Sequence, residues 1–306
     1  MKFIIYNPET RLFDFFINSL KKEFNTRNID ILVINDKKIN EYYEYINFDN
    51  DIILIMINPH FVSTDKIISN EIINISIIFK YKILYLSEPI NYIIEKKVYS
   101  ELINKLKPYC LWTYTNDNLN KLDFNPYLKK LISNNYKIFP NYNDCYNFSD
   151  LKNIEKKNIN NIIFFGNIND NRIEICNTFK DKLINMKDVW TKEGWSEILN
   201  NNLFYLNIHR RNNCKSFEAF RIIPILANGG FIFSERCNEI DENIYKDYNI
   251  VFVEKNNLYN TFIEYIKNIN FEEIKIKTIL FRKNMQENIE LDKYINFHEK
   301  IVKSIR

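Results

Sequence analysis

Alanine is almost absent from this chain, with two among 306 residues, and glycine and proline are scarce at four and seven. Asparagine instead fills 49 positions. Both biases are those of an AT-rich coding sequence, because Ala, Gly and Pro need GC-rich codons. Net charge is scarce as well: 42 Lys and Arg against 39 Asp and Glu leave +3, with the signs interspersed. This balance excludes the basic footprint of a dedicated nucleic-acid or membrane-surface binder. The five cysteines are odd in number, scattered and never spaced Cys-x-x-Cys. They argue against a disulfide framework and a zinc site, and for free thiols in a reducing compartment. No apolar run approaches the ~18 residues of a membrane span, and Met1 to Pro8 is too short an apolar run for a signal peptide. A cytoplasmic protein without a transmembrane segment is expected.

What is present suits a globular chain. Hydrophobic residues make up 46% and aromatic residues 15%, against 26% charged, enough for real cores. At about 100–200 residues per domain, the length implies two domains. The first half alternates β-branched runs with amphipathic stretches. Strands are expected at Lys2–Tyr6, Ile29–Ile34, Ile52–Ile57, Ile83–Leu86 and Leu111–Tyr114, and a short run follows at Tyr136–Phe139. Asn7-Pro8 reads as an N-cap and N1 proline for a helix striped by Leu12, Phe15, Phe16, Leu20 and Phe24. Further helices are expected around Lys66–Phe79 and Glu95–Leu106. Strands alternating with helices imply βαβ units and a parallel sheet covered on both faces.

After Phe139 comes a polar stretch with little periodicity, and the pattern then restarts at Asn161. The expected domains are therefore residues 1–150 and 158–285, each Rossmann-like, with residues 286–306 a terminal helix that packs back on the first. In the second domain, strands are expected at Asn161–Phe165, Leu203–Ile208, Phe231–Phe233 and Ile250–Val253. Helices are expected at Arg172–Leu183 and from Ser216 onward.

Ligands of open α/β sheets bind beyond the carboxyl ends of strands. Three such ends carry chemistry: Gly166 to Arg172, His209-Arg210-Arg211, and Ser234-Glu235-Arg236. Gly166 permits a tight turn, and Arg172 at a helix start suits a phosphate. Between them in sequence lies the segment where the rare residues gather. Both alanines (Ala219, Ala227), Gly229, Gly230 and Pro224 fall between Ser216 and Glu235, where a random scatter would place about one such residue. Within it, Glu218 and Arg221 are three residues apart and share a helical face. That pair reads either as a plain ion pair or as a carboxylate and guanidinium serving sugar hydroxyls and phosphate at a helix start.

The run LNIHRRNNCKSFEAFRIIPILANGGFIFSE resembles the C-terminal-domain signature of GT-B glycosyltransferases, especially bacterial and viral relatives of the group 1 type, at His209, Glu218, Arg221, Ile222, Gly229, Ser234 and Glu235. IIFFGNINDNR is similar to the family's strand, glycine, loop and arginine, at Gly166 and Arg172. Together these cover about a quarter of the chain. The resemblance implies an α/β fold of two Rossmann-like domains with parallel sheets facing across a cleft. It further implies a metal-independent glycosyltransferase that needs no cofactor and moves a sugar from a nucleotide-diphosphate donor to a hydroxyl acceptor on a glycan, lipid or protein. Donor contacts would come from Gly166, Arg172, His209, Arg210, Ser216, Phe217, Glu218, Arg221 and Glu235. Many retaining members carry two glutamates at the positions held here by Ser216 and Pro224, so the usual ribose-binding glutamate is absent and nucleotide and stereochemistry stay open. For a catalytic base, Glu88 and His60 stand at strand ends of the first domain. Asp49-Asn50-Asp51 spells the metal motif of the other glycosyltransferase class but precedes a strand, so it reads as a turn. Two alternatives remain: a non-catalytic nucleotide- or glycan-binding descendant, and a nucleotide-sugar epimerase on the same fold.

Overall fold

The computed structural model describes residues 2–7, 14–34, 52–57, 79–86, 93–115, 131, 135–138, 149–186, 192–210, 215–285 and 289–305. The chain divides into two compact units, Met1–Asn141 with Asn288–Arg306, and Tyr142–Glu287.

The first unit holds a six-stranded sheet of β1 (Lys2–Tyr6), β2 (Asp30–Ile34), β3 (Ile52–Ile57), β4 (Tyr81–Leu86), β5 (Cys110–Thr113) and β6 (Asn135–Lys137). Every pairing is parallel, in the order β2-β1-β3-β4-β5-β6. All six residues of β3 are buried, as a central parallel strand covered on both faces requires. Helix α1 (Asp14–Thr26) buries Phe16, Ile17, Leu20 and Phe24, with Phe24 stacked on Phe3 at 4.4 Å. Asn7 does not act as a cap among the described residues: its side chain is fully buried and neither amide atom has a hydrogen-bond partner. The helix expected at Lys66–Phe79 lies, but for its last residue, outside the described residues. Helix α2 (Ile93–Leu106) follows β4.

The last helix of the chain, α9 (Ile289–Ile305), belongs to this first unit and docks on its sheet. Tyr294 and His298, both buried, converge on the Tyr109 hydroxyl at 2.5 and 2.9 Å, and Tyr294 meets the rings of Trp112 and Tyr136 edge-on. Arg27, at the end of α1, reaches Asp292 at 2.7 Å. The expected return of the terminal helix is thus built from aromatic packing, with polar tips paired to one another.

The second unit runs β7 (Asn158–Phe165), α3 (Asp170–Thr178), β8 (Leu183–Met186), α4 (Lys192–Asn201), β9 (Asn202–Asn207), α5 (Ala219–Ala227), β10 (Phe231–Glu235), α6 (Glu239–Tyr245), β11 (Ile250–Val253), α7 (Leu258–Ile266) and α8 (Phe271–Asn284). Its five strands are parallel in the order β11-β10-β9-β7-β8. Two expected helices begin or end elsewhere. Helix α3 stops at Thr178 because Phe179 turns into the core against Tyr259 and Phe262, leaving Leu183 to open the edge strand β8. Helix α5 starts at Ala219, not Ser216: Phe217 is drawn inward to stack on Tyr245 at 4.0 Å, which holds the preceding residues out of helical geometry.

At the far end of α5 the rare glycines have a steric cause. Gly229 has φ +72°, and a Cβ there would lie 2.7 Å from Ile154 Cδ1. A Cβ on Gly230 would lie 2.4 Å from Ile225 Cγ2 and 2.7 Å from Tyr205 Cε2. The helix end, the 3-10 helix Leu151–Lys156 and β9 approach too closely there for any side chain. No helix among the described residues is long and apolar enough to cross a membrane.

Candidate functional site

In the second unit the chain leaves β7 for β8 on one side of it and then returns to lay β9 on the other. The carboxyl ends of β7 and β9 therefore flank a topological switch point, where open α/β sheets leave a crevice. The loop after β7 begins with Gly166, at φ +136°, a backbone conformation that L side chains rarely adopt.

Three consecutive carbonyls beyond β9 are each held by a side chain from the start of α3. Arg172 donates from Nε and Nη2 to Ile208 O (3.1 and 2.8 Å), Asn171 Nδ2 to His209 O (3.1 Å), and Asn169 Nδ2 to Arg210 O (2.7 Å). Arg172 also donates from Nη1 to Asn167 O at 2.9 Å and lies over the Phe164 ring. The guanidinium is 4% exposed, and burial lowers its pKa from the usual arginine range, an effect opposed by Glu218 and reinforced by Arg221 and Arg210. Its geometry makes it a strut between two loops. Lys255, beyond β11, completes Asn171 by donating to its Oδ1 at 2.9 Å and its carbonyl at 2.5 Å.

The β9 end is also tied to β10. The His209 N–H donates to Glu235 Oε2 at 3.0 Å, and His209 Nε2 sits 2.8 Å from Arg236 O. Asn207 Nδ2 donates to Ser234 Oγ at 3.0 Å. Glu218 occupies the N-cap of α5 without capping it, its carboxylate turned instead to Arg221 Nη1 at 2.6 Å and lying 4.0 Å from Arg172 Nη2. At α3 the N-cap residue Asn169 likewise makes no side-chain cap bond. Two helix starts, each carrying a partial positive charge, thus open near Arg172 and Arg221, which share the Glu218 carboxylate, with the exposed Arg210 close enough to act on Arg172. An anion with hydroxyl groups suits such a place.

The structure brings Gly166, Arg172, His209, Arg210, Glu218, Arg221 and Glu235 into this one network. Arg210 is exposed. Ser216 and Phe217 are fully buried, Phe217 in the core beneath α6. Glu88, His60, Arg211 and Asp49-Asn50-Asp51 lie outside the described residues. Ser234, a position of the resembling signature, joins through Asn207. Asn207 and Lys255 are members that sequence reasoning missed, and Asn169 and Asn171 lay within the candidate run after β7 without being singled out. With asparagine so common, only their position just after a strand or at a helix start could have marked them.

No family model and no curated protein sequence matches this chain. Solved structures do share its fold. An α-glucosyltransferase in complex with UDP and a 13-mer DNA containing an HMU base matches with a TM-score of 0.68 and 10% identity, over 98% of this chain and 99% of its own. Anabaena HepE, in complex with UDP and glucose, matches at 0.57 and 9% identity, over 100% and 99%. AviGT4, a glycosyltransferase involved in avilamycin A biosynthesis, matches at 0.60 and 6% identity, over 99% and 98%. The two parallel α/β sheets of this chain are therefore those of the GT-B glycosyltransferase fold.

Proposed function

We propose that this protein is a glycosyltransferase that moves a sugar from a nucleoside diphosphate sugar to a hydroxyl acceptor. The observation that carries the reading is the cluster at the β7/β9 switch point: two uncapped helix starts, Arg172 and Arg221 on the carboxylate of Glu218, and the exposed Arg210 beside Arg172. The solved structures of the same fold that hold UDP, alone or with glucose, support it. In the proposed reaction the diphosphate lies toward the starts of α3 and α5, with Arg210 and Arg221 facing the charge that grows on it as the sugar leaves. Preorganised donors aimed at that charge lower the barrier without needing to reorient. Arg172, held by three carbonyl bonds to Ile208 and Asn167, keeps the two loops in register. The first unit supplies the acceptor side, with Glu88 and His60 the candidates for a base.

The reaction is proposed to need no metal and no cofactor. Thermal shift with UDP-, GDP- and dTDP-sugars, followed by assays of donor hydrolysis and of transfer to glycan, lipid and peptide acceptors, tests the reading. The HMU-containing DNA of one structural neighbour belongs in the panel as a further acceptor. Binding of at least one donor, with turnover that survives EDTA, is expected. A protein that binds none of the donors would end the proposal, and binding without turnover under any acceptor would leave a ligand-binding protein in place of an enzyme.

A further inference from the structure

We propose that His209 serves as a fixed hydrogen-bond acceptor that reads a hydroxyl of the bound ligand, and so sets specificity where a histidine beside arginines would be taken for a phosphate contact. The inference rests on the nucleotide-sugar reading of this site. A carbonyl can only accept, so the 2.8 Å contact to Arg236 O places the ring proton on Nε2. Nδ1 then presents a lone pair. It is buried and has no donor among the described residues. Burying an imidazolium here would instead leave an N–H with no acceptor.

The bond from Nε2 to Arg236 O holds the ring in this orientation, on a backbone that is itself tied. His209 is held through its N–H by Glu235, through its carbonyl by Asn171 and through Nε2 by Arg236 O, and the residues on either side are held by Arg172 and Asn169. The same logic applies to Asn169. Its Nδ2 is committed to Arg210 O, which leaves Oδ1 buried without a partner. Asn171 is the contrast, with Nδ2 on a carbonyl and Oδ1 on Lys255. Two buried acceptors on neighbouring loops are thus without a donor among the described residues, and phosphate oxygens, being acceptors themselves, cannot satisfy either. A hydroxyl can. The hydroxyl comes from the ribose or from the transferred sugar.

Two substitutions separate the ring's two nitrogens. His209→Gln keeps a donor near Nε2 and removes the acceptor at Nδ1; His209→Asn keeps an acceptor near Nδ1 and loses the bond to Arg236 O. Affinities for UDP, 2′-deoxy-UDP, UDP-glucose, ribose and glucose are measured by calorimetry for all three proteins. We expect His209→Gln to melt within about 2 °C of the parent yet bind UDP-glucose about tenfold or more weakly, and His209→Asn to melt lower yet keep the affinity. Loss of UDP together with loss of discrimination against 2′-deoxy-UDP assigns the ribose. Unchanged UDP with weakened UDP-glucose assigns the transferred sugar. Parental affinities in His209→Gln would overturn the proposal, as would a nitrogen NMR spectrum of the ligand-free protein showing the proton on Nδ1. If no nucleotide binds the parent, the nucleotide-sugar reading fails, and the free sugars still decide this one: binding to the parent no better than to His209→Gln overturns it.

Discussion

Replacing Lys157 with methionine should open a stability gap that widens as the pH rises. Lys157 is 6% exposed, and its ammonium donates to Leu199 O at 2.5 Å, Asn228 O at 2.8 Å and Ser149 Oγ at 3.3 Å. Leu199 lies in the last turn of α4 and Asn228 is the C-cap of α5, so one ammonium serves the negative ends of two helices. Burial, with a smaller contribution from Arg282, brings its pKa down from 10.5 to about 7. The folded value is therefore the lower one. Between pH 7 and 10.5 the unfolded chain binds more protons than the folded one, so this residue's contribution to stability rises with pH across that window and falls as pH drops toward 7. For these two pKa values the change between pH 7 and 9 amounts to roughly 2 kcal/mol. Methionine fills a similar volume and does not titrate, while removing the hydrogen bonds that Nζ gives, at roughly 0.5–1.5 kcal/mol each; Leu199 O keeps the Ser149 hydroxyl. Urea unfolding of both proteins at pH 7, 8 and 9, compared as a difference, cancels every other titrating group. The variant should be the less stable at pH 9, and the gap should shrink by roughly 2 kcal/mol on going to pH 7. A gap that is constant, or that grows toward pH 7, would refute the reasoning.

Two further substitutions probe packing and an unmet polar group. Gly230→Ala places a methyl 2.4 Å from Ile225 Cγ2 and 2.7 Å from Tyr205 Cε2, so it should destabilise by about 1–3 kcal/mol or more, read as a drop in melting temperature. A melting temperature equal to the parent's would show that α5 and β9 have room to give. Asn7→Leu should act in the opposite direction: it removes a fully buried amide with neither atom bonded, relieving a cost of about 1–3 kcal/mol, and the variant should melt higher. A lower melting temperature would mean that the amide is held by something its geometry does not show.

The strands were the most legible part of the fold, for a physical reason. A strand buried on both faces of a parallel sheet must be apolar throughout, and β3 was expected and found at the same six residues. The edge strand β8 escaped because it is short, half-buried and carries an asparagine, so nothing separates it from the end of α3. The start of α5 was misplaced because local pattern favours a serine opening a helix, whereas the stacking of Phe217 on Tyr245 is a tertiary contact invisible at that range. At the site, glycines and arginines stood out against a composition that avoids or spaces them. The asparagines did not, although three of them hold or shape the β9 end, because 49 residues of one type carry no local signal.

The offset of α5 bears on what the site can recognise. With the helix starting at Ala219, Ser216 lies before it and is fully buried, while Pro224 is buried within it. Neither position can offer a carboxylate. The carboxylate at the mouth of α5 is Glu218, already engaged by Arg221 at 2.6 Å and facing Arg172. Exposed ion pairs contribute little, but this one is mostly shielded from solvent, and moving Glu218 to a ribose would leave Arg221 without its strongest partner. A phosphate arriving beside Arg221 changes that balance, because the guanidinium then keeps a negative partner whichever way Glu218 turns. In the proposed reading hydroxyl recognition then falls to the buried acceptors left without a donor among the described residues, His209 Nδ1 and Asn169 Oδ1. On the proposed function phosphate comes first and hydroxyl second, so a bare nucleoside should bind far more weakly than its diphosphate, and equal affinities by calorimetry would refute that order.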